Sequence, residues 1–356
     1  MSSLLLLTRI IESILGIKEH LYSEEGITLG IEKFSNLPFK ISLSNYKLIC
    51  IILEEKSRDM ILNGILENLK QEEKVFIKWS NKNVYPFKSI ENKNILKFQI
   101  NELSNFFSYY SNLYDFMVYF SELLGDLFNL NYDERLVLKR VLIDRIVPQN
   151  RAIITFKDIF RELREAQFRS AYENEYRYLI AKKLEELIND KILEEISIEL
   201  VKKEKANRDY ELNIGLIPNL RLKLLLLNLV LNSLHYRSVA GFRPILFIEL
   251  PSSIINYLYK ATNIQIWDQF YNIIRTSRIV FLITDELQSL PKEIINRIDF
   301  TIMNDTGLLN NETTSHINHG KKAKNPGEKE FFVLKKDGKI YELKQIEEEY
   351  LSIEVN

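Results

Sequence analysis

The chain has 356 residues, with 46% hydrophobic and 27% charged residues and a formal net charge of −1 at pH 7. This composition is that of a globular chain and excludes an intrinsically disordered one. The near-neutral charge excludes recruitment of DNA or an anionic membrane by the overall field, so either contact would need a local basic patch. The single Cys50 excludes a disulfide framework and favours a reducing, cytoplasmic compartment.

The first apolar segment is SLLLLTRIIESILGI, residues 3–17. Arg9 and Glu12 interrupt it, and it is shorter than the roughly 20 residues that a membrane span requires. We therefore expect an amphipathic helix that docks on its own domain, with attachment to a partner or to membrane-associated machinery as the alternative.

A βαβ unit follows. The uninterrupted apolar run 48–53 predicts a buried parallel strand, residues 58–70 predict a crossover helix, and KVFIKW (74–79) predicts the next strand. Short strands separated by Gly30 and Pro38 are expected before this unit.

The periodicity then changes to that of helices. Thr155 is the expected N-cap of one of these helices, with Asp158 three residues later. The segment LKLLLLNLVLNSL (222–234) predicts a buried helix, and the charge run 201–211 predicts a solvated loop. An aromatic stripe predicts helix packing, with stacking on single-stranded DNA as the alternative, and it consists of Phe106, Phe107, Tyr109, Tyr110, Tyr114, Phe116, Tyr119 and Phe120.

Strands return in the last third, at 243–250, 278–286 and 299–305, with helices at 254–275 and 290–298 and a hairpin at 330–343. The alternation predicts an α/β fold with a mostly parallel sheet, an inserted all-α subdomain and a C-terminal β-hairpin. The expected divisions are an N-terminal helix, the first part of the core, the helical insertion, the second part of the core, and a polar loop with the hairpin: 1–24, 25–100, 101–210, 211–305 and 306–356.

The order of four segments resembles the HerA/FtsK-type translocases, a RecA-like P-loop superfamily that includes conjugation coupling ATPases. ITLGIEKFSNLPFKISLSNYKLICII is similar to the lead-in to their phosphate loop, and RPILFIELPSS lies where they have the Walker B strand. RTSRIVFLITDELQSLPKEIINRIDFTIMND is similar to their sensor region, and NPGEKEFFVLKKDGKIYEL to their closing strands. Lys56 and Glu249 lie more than half the chain length apart, which favours this family over the AAA+ class.

The resemblance implies a Mg-ATP site, but the motif residues have changed. Lys56 and Ser57 match the end of a phosphate loop, although no glycine precedes them in LEEKS, and Glu54 brings negative charge toward a polyphosphate. Glu249 stands at the Walker B position without a following carboxylate, and Asp285 stands in the sensor. The expectation is a vestigial cofactor site at Lys56 and Ser57 with no cofactor bound.

If the site is active, Glu249, Asp285 and Arg297 are its expected catalytic residues, and Arg275 and Arg278 are further candidates for an arginine that acts on a neighbouring subunit. The four histidines show no metal-ligand spacing apart from HINHG, at His316 and His319.

The favoured interpretation is a catalytically inactive homologue that acts as a non-hydrolysing subunit or scaffold in a DNA-processing, DNA-transfer or related assembly, in a ring with itself or with an active relative. One alternative is a divergent but active ATPase that translocates DNA. A second is a DNA-binding module in which Lys321, Lys322 and Lys324 contact phosphates. A third is a structural subunit anchored through residues 3–17.

Overall fold

The structure is a computed structural model. It describes residues 27–33, 38–41, 46–69, 72–79, 94–99, 112–151, 154–185, 197–202, 208–217, 219–239, 241, 243–260, 264–304, 330–336 and 340–344.

The strands of this part of the chain form one 12-stranded sheet, in the order β2-β1-β12-β11-β10-β3-β9-β8-β4-β7-β6-β5. They are β1 Ile27–Glu32, β2 Pro38–Ile41, β3 Leu48–Ile52, β4 Lys74–Lys78, β5 Asn94–Gln99, β6 Ser197–Lys202, β7 Arg208–Asn213, β8 Ile245–Glu249, β9 Ile279–Ile283, β10 Phe300–Met303, β11 Glu330–Lys335 and β12 Ile340–Lys344. The central run from β10 through β3, β9, β8 and β4 to β7 is parallel. Antiparallel strands extend it on both sides. The predicted α/β fold is therefore confirmed, and the sheet is mixed, with its parallel strands in the centre.

The helices are α1 Glu55–Asn68, α2 Leu113–Leu127, α3 Tyr132–Val141, α4 Phe156–Glu165, α5 Ala171–Leu184, α6 Leu220–Val239, α7 Ser252–Lys260, α8 Ile264–Thr276 and α9 Lys292–Ile295. A π-helical turn, Leu142–Ile146, and a 3-10 turn, Val147–Gln149, continue α3. A further 3-10 turn, Ile214–Leu216, precedes α6.

The central strands owe their place to their largely apolar sequence. Every residue of β3, β4, β8, β9 and β10 is buried, as expected of parallel strands covered on both faces. On one face, Phe247 stacks between Phe76 and Phe281, with ring centroids 4.8 and 4.7 Å apart, under helix α1. The other face packs against α6 and α8 and, through α6, against the helical region α2–α5.

The helical region bears out several sequence predictions. Thr155 caps α4 in a capping box with Asp158. Phe116 and Phe120 of the aromatic stripe are fully buried and stack on each other, with centroids 5.7 Å apart, which favours the packing interpretation. Tyr114 is exposed, and residues 106–110 lie outside the described residues.

Three local expectations were wrong. Helix α1 begins at Glu55, three residues before the predicted start. Residues 254–275 form α7 and α8 rather than a single helix. The charge run 201–211 includes the end of β6 and the beginning of β7, because these residues pair in an antiparallel ladder and are not only a solvated loop.

Candidate functional site

The candidate site is the edge of the sheet where the central parallel strands end. Ligands of open α/β sheets bind outside the carboxyl ends of such strands. Ser57 follows β3, Trp79 follows β4, Glu249 ends β8, Asp285 follows β9 and Asn304 follows β10.

The connection from β3 to α1 consists of Leu53 and Glu54, and we refer to it as the Leu53–Glu54 connection. Glu54 is the N-cap residue, with an exposed side chain that makes no capping hydrogen bond. Its carbonyl accepts the first helical hydrogen bond from the backbone N of Arg58, at 2.8 Å. Lys56 and Ser57 therefore lie within the first turn of α1, and no loop precedes them that could curl around a phosphate.

Ser57, which follows β3, is hydrogen-bonded to Asn304, which follows the neighbouring strand β10. Its hydroxyl oxygen accepts a hydrogen bond from Nδ2 of Asn304, at 3.1 Å. In a phosphate-loop protein this hydroxyl would coordinate the magnesium ion. Here it ties the first turn of α1 to the end of β10.

Glu249 ends β8, as the sequence predicts, and its side chain is 7% exposed. Its Oε2 accepts a hydrogen bond from the backbone N of Trp79, at 2.8 Å, across 170 residues of sequence. A buried carboxylate needs hydrogen-bond donors, and the backbone N–H of Trp79 supplies one. The bond also joins the end of β8 to the end of β4. The residues that follow, Leu250 and Pro251, lead directly into α7.

Asp285 is exposed at the end of β9, and it holds the start of α7. Its Oδ1 accepts from the backbone N of Ser252 at 2.6 Å, and its Oδ2 accepts from Oγ of Ser252 at 3.0 Å. The carboxylate thus acts as a helix cap, a role favoured at the positive end of a helix. The helix that it caps follows the neighbouring strand β8, and not β9 itself.

The candidate arginines lie at the opposite edge of the sheet. Arg278 immediately precedes β9 and forms an ion pair with Glu72. Arg297 precedes β10, and its guanidinium stacks on the ring of Tyr271 at 4.9 Å from the centroid. Arg275 lies in the last turn of α8. Within one chain, the structure therefore does not bring Arg297 together with Glu249 and Asp285, because parallel strands begin and end at opposite edges.

Some predicted positions lie outside the described residues: 3–17, His316, His319, Lys321, Lys322 and Lys324. Within the described ranges, no group of three or more histidine, cysteine or acidic residues could hold a metal ion. His235 instead lies 3.3 Å from Oγ1 of Thr276, and partial burial lowers its pKa. No helix among the described residues has the length and apolar character to cross a membrane.

Sequence reasoning missed two lysines in β4. Lys74 is 4% exposed, and its Nζ donates to the backbone oxygens of Leu69 and Glu72, at 2.8 Å each. Lys78 is 2% exposed at the end of the same strand. The signal was present in KVFIK, where a lysine stands at each end of a strand that is otherwise apolar.

The described geometry does not fit a magnesium–nucleotide complex. Mg-ATP needs successive backbone amides that converge on its phosphates and a carboxylate that reaches the metal. The Leu53–Glu54 connection has no glycine and is too short to wrap a phosphate, and it places a carboxylate at the start of α1. The carboxylates of Glu249 and Asp285 already accept hydrogen bonds from the protein.

Comparison with known proteins shows likeness in structure and not in sequence. No protein-family model matches the sequence, and no curated protein matches it. VirB4 of Thermoanaerobacter pseudethanolicus superposes with a TM-score of 0.58 at 10% identity, over 93% of this chain and 99% of that one. The plasmid coupling protein TrwB, in complex with a non-hydrolysable GTP analogue, gives 0.46 at 9% identity, over 91% and 90%. The cytoplasmic domain of EssC gives 0.39 at 8% identity, over 94% and 45%. The chain therefore has a RecA-like α/β fold similar to that of VirB4.

Proposed function

We propose that this chain is a RecA-like subunit that does not hydrolyse ATP and serves as a scaffold in a DNA-processing, DNA-transfer or related assembly. The observation that carries the proposal is the Leu53–Glu54 connection. In a hydrolysing relative, a glycine-containing loop separates the first core strand from the lysine of its helix. Here the helix begins where that loop would have to be.

Physical chemistry supports the loss of nucleotide binding. A phosphate loop presents amides in conformations that glycine reaches and that a Cβ obstructs. The connection offers instead the carboxylate of Glu54, and a like-charge contact with a phosphate at about 4 Å costs about 4 kcal/mol at an effective dielectric of 20. Lys56 alone does not offset this repulsion together with the lost amides.

The scaffold role follows from what the chain retains. The described strands form one continuous sheet with an apolar layer packed on each face. We expect the surfaces of this RecA-like subunit to bind copies of itself or an active relative in a ring. Residues 3–17 are a candidate link to membrane-associated machinery, and Lys321, Lys322 and Lys324 are candidate contacts to DNA.

Calorimetric titration of the full chain with Mg-ATP tests the proposal. We expect no saturable heat for the wild type or for Lys56→Ala. The matched control is Lys292→Ala, which removes an exposed lysine from α9, the short helix between β9 and β10. Saturable binding that Lys56→Ala abolishes and Lys292→Ala leaves unchanged would establish a working nucleotide site and overturn the proposal.

Retention on DNA at increasing salt tests the nucleic-acid part of the assembly. If Lys321, Lys322 and Lys324 contact phosphates, affinity should fall steeply with salt and the triple alanine variant should show a smaller slope. If the wild type is not retained on DNA even at low salt, DNA is not a partner of this protein.

A further inference from the structure

Helices α3 and α5 of the helical region carry large apolar side chains that face solvent. Exposed apolar patches of this kind mark interaction sites, and tyrosine is among the residues that contribute most to protein interfaces. Five of the nine large hydrophobic residues that are exposed in the described ranges lie on these two helices, and they are Tyr132, Leu136, Tyr172, Tyr178 and Leu179. The exposed apolar residues are therefore concentrated on one helix pair.

The two helices present one surface because polar side chains join them. Nζ of Lys183 on α5 donates to both carboxylate oxygens of Glu134 on α3, at 2.8 and 2.7 Å. The hydroxyl of Tyr176 on α5 donates to Oδ2 of Asp133 on α3, at 3.3 Å. The exposed residues of α3 therefore lie beside those of α5.

The outward stripe of α5 is complementary to itself in charge. Its exposed residues are Tyr172, Glu175, Tyr178, Leu179 and Lys182, which recur at the spacing of three and four that marks one side of a helix. Tyr172 is 74% exposed and Tyr178 is 63% exposed. Glu175 and Lys182 stand at equal distances on either side of the Tyr178–Leu179 pair. They are about 10 Å apart along the helix axis, too far to pair with each other.

A polyanion does not suit this face. The carboxylate of Asp133, with a smaller contribution from Glu175, raises the pKa of Tyr176 at its centre. The exposed cation Arg140 of α3 already forms an ion pair with Glu173 of α5. Nucleic acid and anionic membranes are bound through unpaired cations, whereas a surface of both signs with exposed tyrosines suits another protein surface of both signs.

We propose that this face is a contact between two copies of the chain, in which the two α5 helices pack antiparallel about a two-fold axis. An axis that crosses α5 between Tyr178 and Leu179 sets Glu175 of each copy opposite Lys182 of the other. The aromatic and aliphatic side chains then pack between these two ion pairs. The contact goes beyond the proposed function, because a ring is built from head-to-tail contacts and a two-fold contact uses the same patch on both subunits.

Sedimentation velocity of the full chain over a range of concentrations tests the contact. We expect the wild type to dimerise reversibly. Glu175→Lys sets like charges opposite each other at both ends of the contact and should weaken the dimer by about tenfold, and Lys182→Glu should do the same. Mixing the two single variants should restore dimers, because each lysine of one chain then faces a glutamate of the other.

Tyr178→Ala tests the apolar part of the contact. It removes one ring from each copy and should weaken the dimer by at least about tenfold. The matched control is Tyr114→Ala, which removes an exposed tyrosine from α2 and should leave the dimer unchanged. All of these substitutions are at exposed positions, so circular dichroism should show the same fold in every variant.

A wild type that stays monomeric at every concentration overturns the proposal and leaves the face for a different protein. Self-association that survives Tyr178→Ala and both charge reversals also overturns it, because the contact then lies elsewhere. The Mg-ATP titration judges the proposed function separately. A monomer with a flat titration refutes only the two-fold contact, and a dimer with saturable ATP binding refutes only the proposed function.

Discussion

Substitution of Asp285 tests whether the carboxylate at the end of β9 has a structural or a catalytic role. Asp285→Ala removes both hydrogen bonds that the carboxylate accepts from Ser252, at 2.6 and 3.0 Å. Loss of a capping side chain costs about 0.5–2 kcal/mol, and loss of a negative charge at a helix N-terminus adds about 0.3–1 kcal/mol. Because Asp285 is exposed, we expect a total of about 1–2 kcal/mol, or roughly 5–30-fold in the folding equilibrium constant.

Two further variants grade the effect. Asp285→Asn keeps an acceptor for the backbone N of Ser252 and should cost less than about 1 kcal/mol. Ser252→Ala removes only the hydroxyl bond and should cost about 0.5–1 kcal/mol. Urea unfolding followed by circular dichroism measures all three, beside an ATP turnover assay. The reasoning fails if Asp285→Asn destabilises as much as Asp285→Ala, or if a measurable turnover disappears in Asp285→Asn.

Three other expectations concern buried groups. Burial raises the pKa of the Cys50 thiol to about 12, so a thiol reagent should label the protein only after unfolding, and labelling of the native form would contradict its place in β3. Burial would raise the pKa of Asp158, but hydrogen bonds from Thr155 and neighbouring arginines lower it overall. The ionised carboxylate therefore stabilises the folded protein fully above about pH 4, and this stabilisation is lost as the pH falls through the lowered pKa. The difference in free energy of unfolding between the wild type and Asp158→Asn should accordingly shrink in acid. A difference that does not depend on pH refutes this. Lys183→Met strands the buried carboxylate of Glu134 and should cost about 3–5 kcal/mol in urea unfolding, whereas Glu134→Gln frees an accessible lysine and should cost about 1–3 kcal/mol; equal losses would contradict this.

The sequence predicted the core strands well because their signal is local. LICII and IVFLI are uninterrupted apolar runs of strand length, and ILFIE is apolar up to its last residue; such runs are typical of strands that are buried on both faces. Strands β6 and β7 were missed because charged residues interrupt both, and their antiparallel pairing is not visible in either segment alone.

The sequence predicted where the candidate site residues lie in the fold, but not the hydrogen bonds that they form. Glu249 was assigned to the end of a Walker B-like strand because RPILFIELPSS resembles that segment of the family, and it is the last residue of β8. Its bond to Trp79 depends on the pairing of β4 with β8, which joins parts of the chain that no local pattern relates. Arg297 was predicted as an arginine that acts on a neighbouring subunit, and the direction of β10 places it at the other edge of the sheet from Glu249 of its own chain. Its action on a neighbouring subunit stays a prediction.

The position of β3 within the sheet has a consequence for synthesis of the chain. Both of its neighbours, β9 and β10, begin after residue 278, so this strand emerges from the ribosome long before either of them exists. Until then, LICII is an apolar segment with two unpaired edges, the kind of segment that aggregates from incompletely folded chains. A nascent chain that stops short of β9 should therefore depend on a chaperone or on an early binding partner to stay in solution.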